Sequence, residues 1–155
     1  MTMILDIRQD DLCGAPTRQL LALHLAGMHA HSPPGSVYAL DLSGLRDPAV
    51  TVWSAWQEAR IVGIGALKML APDHGEVKSM RTHPDFLRQG VARRLLEHII
   101  AQARGRGVRR LSLETGSGVA FEPALALYRA RGFASGAAFG DYAASTFNQF
   151  LHLDL

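Results

Sequence analysis

Cysteine is nearly absent: Cys13 is the only one in 155 residues. A lone cysteine excludes an intrachain disulfide and leaves a thiolate zinc cage out of reach. No charged segment followed by an apolar stretch opens the chain, so the pattern of a secretory signal is missing. The longest apolar run, "LLALHLAGM", is far short of the roughly 20 residues that cross a bilayer. Internal repeats, linkers and low-complexity tracts are missing as well. The expectation is one soluble, cytoplasmic domain over residues 1–155, long enough to bury a core.

Several chemical signatures are also missing. No GxxxxGK[ST] occurs, and "GIG" at Gly63 to Gly65 has Lys68 where a dinucleotide fingerprint needs its third glycine. "GSG" at Gly116 to Gly118 lacks the spacing of a nucleophile elbow. HExxH is absent, and His29 and His31, two apart, would point different ways on a helix. No metal site is expected.

Acidic residues are scarce where arginine is dense. Between Arg81 and Arg110 lie eight arginines against Asp85 and Glu97 alone, although the whole chain carries a net charge of only +2. That is a local positive field suited to an anion. A nucleic-acid surface is not expected, because an apolar stripe occupies one face of this stretch and no aromatic platform accompanies it.

Patterning gives the order of elements. "MILDIR" alternates as a strand, Ala15 to His29 reads as an amphipathic helix carrying Leu20, Leu21, Leu23 and Leu25, and "HSPPGS" breaks it. A short helix is expected over Val37 to Leu45. "VTVWSAWQ" and "RIVGIGALKML" read as strands joined by a tight turn at "EA", followed by a turn at "APDHG" and a fourth strand, "EVKSMRT". Val91, Ala92, Leu95, Leu96, Ile99, Ile100 and Ala103 form one helical stripe, which Gly105 and Gly107 end. "RRLSLE" is a fifth strand. Phe121, Ala124, Leu125 and Tyr128 recur at helical spacing up to Gly132, and "GFASGAAF" and "TFNQFLHLDL" read as closing strands. The sum is a mixed sheet covered by helices, α/β or α+β.

The stripe after Gly90 has no Ser, Thr or Asp cap directly ahead of it. A helix start presents unpaired N–H groups and a partial positive charge, which suits phosphate. Gly90 and Ala92 allow close approach, and Arg88 and Arg93 add charge. The reading is a diphosphate seated on this helix start, weighed against a loop glycine before a surface helix.

The run "MRTHPDFLRQGVARRLL", followed by "LALYRARGF", resembles the GNAT superfamily of acetyl-CoA-dependent N-acetyltransferases. Gly90, Val91 and Ala92 fill the last three places of its Arg/Gln-x-x-Gly-x-Gly/Ala signature. Met80 to Pro84 match its hydrophobic-x-Val-x-Pro strand motif, and Leu127, Tyr128, Gly132 and Phe133 match Leu-Tyr-x-x-x-Gly-Phe. "SPPGSVYALD" and "LSLETGS" resemble runs of a bacterial subgroup of small-molecule acetyltransferases. Leu87 departs from the first signature place, and Phe121 stands where an asparagine often contacts pantetheine.

The resemblance implies a mostly antiparallel seven-stranded sheet with about four helices, splayed between strands 4 and 5. It implies acetyl-CoA as cosubstrate, with Met80, Arg81 and Thr82 along pantetheine and Arg88, Gln89, Gly90, Val91, Ala92 and Arg93 around the pyrophosphate. Phe121 and Tyr128 would complete the cofactor site. Tyr128 would be the acid beside the sulfur. The base would be Glu76, which period-2 alternation sets on one face with Lys78 and Met80, or Glu114, or a water-linked pair of carboxylates; His83 is a weaker candidate. His31, Ser32, Asp141 and Tyr142 are candidates to contact a small amine. The expected activity is direct acetyl transfer to an amino-acid-like or polyamine-like amine. Protein N-terminal or lysine acetylation and a non-catalytic CoA sensor are the alternatives. A homodimer through the closing strands fits this architecture.

Overall fold

The fold was obtained as a computed structural model that describes residues 4–155. Among these residues lie seven strands: β1 (Asp6–Gln9), β2 (Val50–Gln57), β3 (Arg60–Ala71), β4 (His74–Thr82), β5 (Arg110–Thr115), β6 (Ala134–Ser135) and β7 (Gln149–Asp154). The helices are α1 (Ala15–His31), α2 (Leu42–Leu45), α3 (Val91–Gly105) and α4 (Glu122–Ala130). The sheet order is β1-β2-β3-β4-β5-β7-β6, antiparallel throughout except for the parallel pair β4–β5. The expected mixed sheet with four flanking helices is therefore observed.

Each helix packs where its apolar stripe directs it. Val91, Leu95, Leu96, Ile99, Ile100 and Ala103 of α3 are all buried, at 0–1% exposure. At about 1.5–3 kcal/mol for each of the larger aliphatic side chains, this stripe is a major contribution to the fold. They join Trp53, Leu67, Val77, Leu111, Leu113, Leu125 and Leu151 in a core on one face of the sheet. On the other face, Leu20 and Leu21 of α1 and Leu45 of α2 pack on Val52, Ile64 and Ala66. Leu23, expected to add to α1's apolar surface, is 44% exposed, while Thr17 and His24 take buried places instead.

The ends follow local chemistry. α3 and α4 close with backbone bonds from Val108 to Ala103 and from Phe133 to Tyr128, the six-to-one pattern of a Schellman ending. Gly107 and Gly132 supply the positive φ this ending needs. The β2–β3 turn is Glu58–Ala59, as expected, with Glu58 at φ 53°.

Four expectations shift. The helix over Val37 to Leu45 shrinks to α2, because the Asp41 side chain accepts from Gly44 N at 2.8 Å and starts the helix there. The first strand begins at Asp6; Met3, in the expected strand, lies outside the described residues. "GFASGAAF" forms a strand only at Ala134 and Ser135, with one further backbone bond to β7 from Gly136 N to Phe150 O. The period-2 alignment of Glu76, Lys78 and Met80 fails, because β4 bulges. Pairing with β3 steps from Lys78↔Ala66 to Arg81↔Ile64, one residue too many on β4, with Ser79 at φ 57°. Met80 then turns toward Ile99 of α3, and Arg81 toward α1.

Candidate active site

β4 and β5 pair for only three residues, from His74↔Arg110 to Glu76↔Ser112, and then separate. The splay expected at this place is observed. A cavity of about 900 Å³ opens there, lined by Val77–Thr82 of β4, Glu114 and Thr115 of β5, Gly90–Arg93 and Phe121, with Tyr128 of α4. It continues to the far face of the sheet, where His24, His31 and Tyr38 line it. A passage between two diverging strands thus connects both faces.

The α3 end of the cavity suits an anion. Gly90 has φ 83° and its own side of the chain is open: a Cβ there would meet nothing within 4 Å. No side chain caps the helix, and the first intrahelical bond runs from Arg94 N to Gly90 O. The N–H groups of Val91, Ala92 and Arg93 therefore have no main-chain acceptor. Arg88 and Arg93 stand beside them on the cavity wall. The residues present fit a diphosphate on the amide groups, with positive side chains at the rim.

Glu114 and Tyr128 line the same space. Burial, with help from Glu76 and against the pull of Lys78, pushes the Glu114 carboxyl up to about 7. Tyr128 is buried, which raises its phenol above the ordinary tyrosine value. Its ring meets Phe133 edge-on at 5.7 Å, and its hydroxyl makes no hydrogen bond to another described residue. Phe121 is held by Phe147, also edge-on, at 5.5 Å.

Behind this wall sits a closed polar cluster. Glu76 is 2% exposed and does not line the cavity. Its Oε2 accepts from Tyr142 Oη at 2.5 Å and from Lys78 Nζ at 3.2 Å, and Lys78 Nζ also donates to Tyr142 Oη at 2.7 Å.

Most residues nominated from sequence converge. Met80, Arg81, Thr82, Arg88, Gly90, Val91, Ala92, Arg93, Glu114, Phe121, Tyr128 and His31 line one cavity; Gln89, Glu76, Ser32, Asp141 and Tyr142 do not. Ser32 lines a separate small hollow with His29 and Val37, and Asp141 is exposed. Sequence reasoning missed His24 and Tyr38. His24 had a signal: it continues the helical spacing of Thr17, Leu20 and Leu21, so a histidine was placed on the buried side of α1.

Diverging parallel strands, an uncapped helix start and a tyrosine with no hydrogen bond to another described residue meet in one cavity, the arrangement that the resemblance to acetyl-CoA-dependent acetyltransferases implies. The description of the acetyltransferase (GNAT) family matches residues 17–133, and the chain belongs to that family. It is 47% identical to the uncharacterised N-acetyltransferase YedL of Escherichia coli, covering 96% of this chain and 94% of that one. It is 51% identical to the uncharacterised N-acetyltransferase YsnE of Bacillus subtilis, covering 88% and 90%. Among solved structures, a candidate acyl-CoA N-acyltransferase of Klebsiella pneumoniae superposes with a TM-score of 0.84 at 26% identity, over 99% of both chains. A Bacillus subtilis acetyltransferase solved with CoA shares the fold at a TM-score of 0.74, 19% identity and 98% and 99% coverage. The chain is thus an acyltransferase enzyme. Among the described residues, no helix is long and apolar enough to cross a membrane, and no group of His, Cys, Asp and Glu side chains could hold a metal ion.

Proposed function

We propose that this enzyme transfers the acetyl group of acetyl-CoA directly to the amine of a small molecule, both substrates being bound at once. The observation that carries the reading is the shared cavity: the α3 start, Tyr128 and Glu114 all face one passage that reaches both sides of the sheet. Acetyl-CoA brings an activated thioester. The protein must hold it, deprotonate the amine and assist the leaving thiolate.

The amides of Val91, Ala92 and Arg93, with Arg88, hold the diphosphate, while the β4 edge at Met80 to Thr82 runs along the pantetheine. An alkyl ammonium, with a pKa near ~10.4, has no lone pair with which to attack. Glu114 takes its proton. Its pKa of about 7 lets it be ionised at neutral pH and still basic enough for the task. Glu76, the other carboxylate, is bonded by Lys78 and Tyr142 and acts on Glu114 only through its charge. Tyr128, kept protonated by burial, donates to the departing sulfur. A small acceptor enters on the face where His24, His31 and Tyr38 line the cavity.

The test is thiol release from acetyl-CoA over a panel of free amino acids, polyamines and peptides. Turnover of small amines with none on peptides is the expected result. Preference for peptides would move the acceptor to protein, and a melting temperature raised by acetyl-CoA without turnover of any amine would leave a sensor.

A further inference from the structure

Among the described residues, no carboxylate pairs with Arg81. Arg81 lines the cavity, and among those residues the polar partners of its guanidinium are both on one histidine: Nε donates to His24 Nδ1 at 3.0 Å, and Nη2 to the His24 carbonyl oxygen at 3.4 Å. Gly27, one helical turn further along α1, makes the seat: a Cβ there would stand 3.0 Å from Nη2. His24 is 5% exposed, and burial together with Arg81 pushes its imidazole down to about 4, so it is neutral. A carboxylate in that place would cancel the guanidinium charge. A neutral imidazole fixes the side chain and leaves the charge whole.

The other cations on the wall are accounted for. Lys78 is paired with Glu76 at 3.2 Å, and Arg88 and Arg93 flank the α3 start. The bulge at Ser79 sends Arg81 to the α1 face, opposite to Met80 and α3. It therefore lies on the acceptor side of the passage, away from the helix start that suits a diphosphate. Partial burial of a guanidinium is costly unless an anion meets it, and the one carboxylate on the cavity wall is Glu114, on β5.

We propose that the acceptor carries a carboxylate gripped by Arg81, with its amine toward Glu114, so that the substrate is an amino acid or another amine bearing an acid group, and that His24 is the positioning residue for Arg81. This rests on the acetyl-transfer reading above, narrows it, and excludes polyamines.

The experiment uses the wild-type chain, saturating acetyl-CoA and matched triplets: an L-amino acid, its carboxamide, and the amine lacking the carboxyl group. The expected result is a kcat/KM for the acids about 10- to 100-fold above that for the amides, as for a charge-assisted hydrogen bond. The amides have the less basic amine, so the fraction of free amine biases against this outcome. Arg81→Gln should narrow the ratio through acceptor KM with acetyl-CoA KM unmoved. His24→Glu, which supplies an internal counter-ion, should narrow it likewise, whereas His24→Gln, still a neutral acceptor, should keep it. A merely structural histidine would not sort its variants by charge. Equal turnover of acids and amides by the wild type, or an Arg81→Gln defect confined to acetyl-CoA, overturns the proposal. With polyamines and peptides added to the panel, transfer to polyamines alone would do so while sparing the transfer reading; transfer to peptides alone, or binding of acetyl-CoA with transfer to nothing, would end both.

Discussion

Tyr142 Oη donates a 2.5 Å hydrogen bond to Glu76 Oε2, joining the segment before β7 to the middle of β4. The phenol also receives a bond from Lys78 Nζ at 2.7 Å, and its ring packs against Tyr38, Phe139 and Phe150. Tyr142→Phe keeps those ring contacts and removes a donor from a carboxylate that is 2% exposed. The expected cost is about 1–3 kcal/mol of stability, read as a lower denaturation midpoint with an unchanged slope. Asp141→Ala, at the exposed neighbour, should stay within about 0.5 kcal/mol. Equal midpoints for Tyr142→Phe and the wild type would show that the cluster contributes nothing.

Glu114 should set the acid limb of the rate profile. With the carboxyl at about 7, the rate for the free enzyme should rise with pH through that value. Glu114→Gln should lower kcat/KM by about 100-fold or more and erase the limb. Stability carries the opposite sign. The folded carboxyl keeps its proton up to about 7, whereas the unfolded one releases it near 4.5, so the folded state binds more protons within that window. This group's contribution to stability therefore falls as pH rises from 4.5 to about 7. Glu114→Gln should flatten that fall in a series of melting temperatures. A variant with the wild-type rate profile would return the base to Glu76 or to water.

Tyr128→Phe should separate chemistry from binding. The hydroxyl has no hydrogen-bond partner among the described residues, so its removal strands no buried donor or acceptor, and the Phe133 contact remains. The melting temperature and acetyl-CoA affinity should hold, while kcat falls about 10- to 1000-fold. Wild-type turnover across the alkaline range would remove Tyr128 from the reaction.

The proposed cofactor half of the cavity was legible because its determinants are local. Uncapped amides after Gly90, and a tyrosine four residues ahead of the Gly132 that ends its helix, are both written in short stretches. The acceptor half was not, because it depends on which way one strand turns. Alternation grouped Met80 with Glu76 and Lys78, and a single extra residue at Ser79 sent Met80 to α3 and Arg81 to α1. Nothing in "EVKSMRT" marks that residue, since a serine at positive φ has no turn signal around it. Ser32 and Asp141 were nominated as polar loop residues, and loops such as these have no period that orients a side chain. His24, by contrast, was within reach: a histidine on an apolar helix stripe asks for a partner, and Arg81 is that partner.

Gly90→Ala tests the helix start with two separate readouts. An alanine at φ 83° is strained by about 1–2 kcal/mol, although its Cβ would clash with nothing in the free protein. The free protein should therefore lose about that much stability and no more. The added methyl projects where the diphosphate is proposed to approach the amides of Val91, Ala92 and Arg93. Affinity for CoA should then fall by well over the roughly 5- to 30-fold that a uniform 1–2 kcal/mol effect would explain. Dephospho-CoA should suffer alongside CoA, because the two share the diphosphate, whereas pantetheine, which lacks it, should bind both forms alike. If CoA binds Gly90→Ala as tightly as the wild type, the diphosphate does not lie on this helix start, and the placement of Glu114 and Tyr128 relative to the thioester would have to be drawn again.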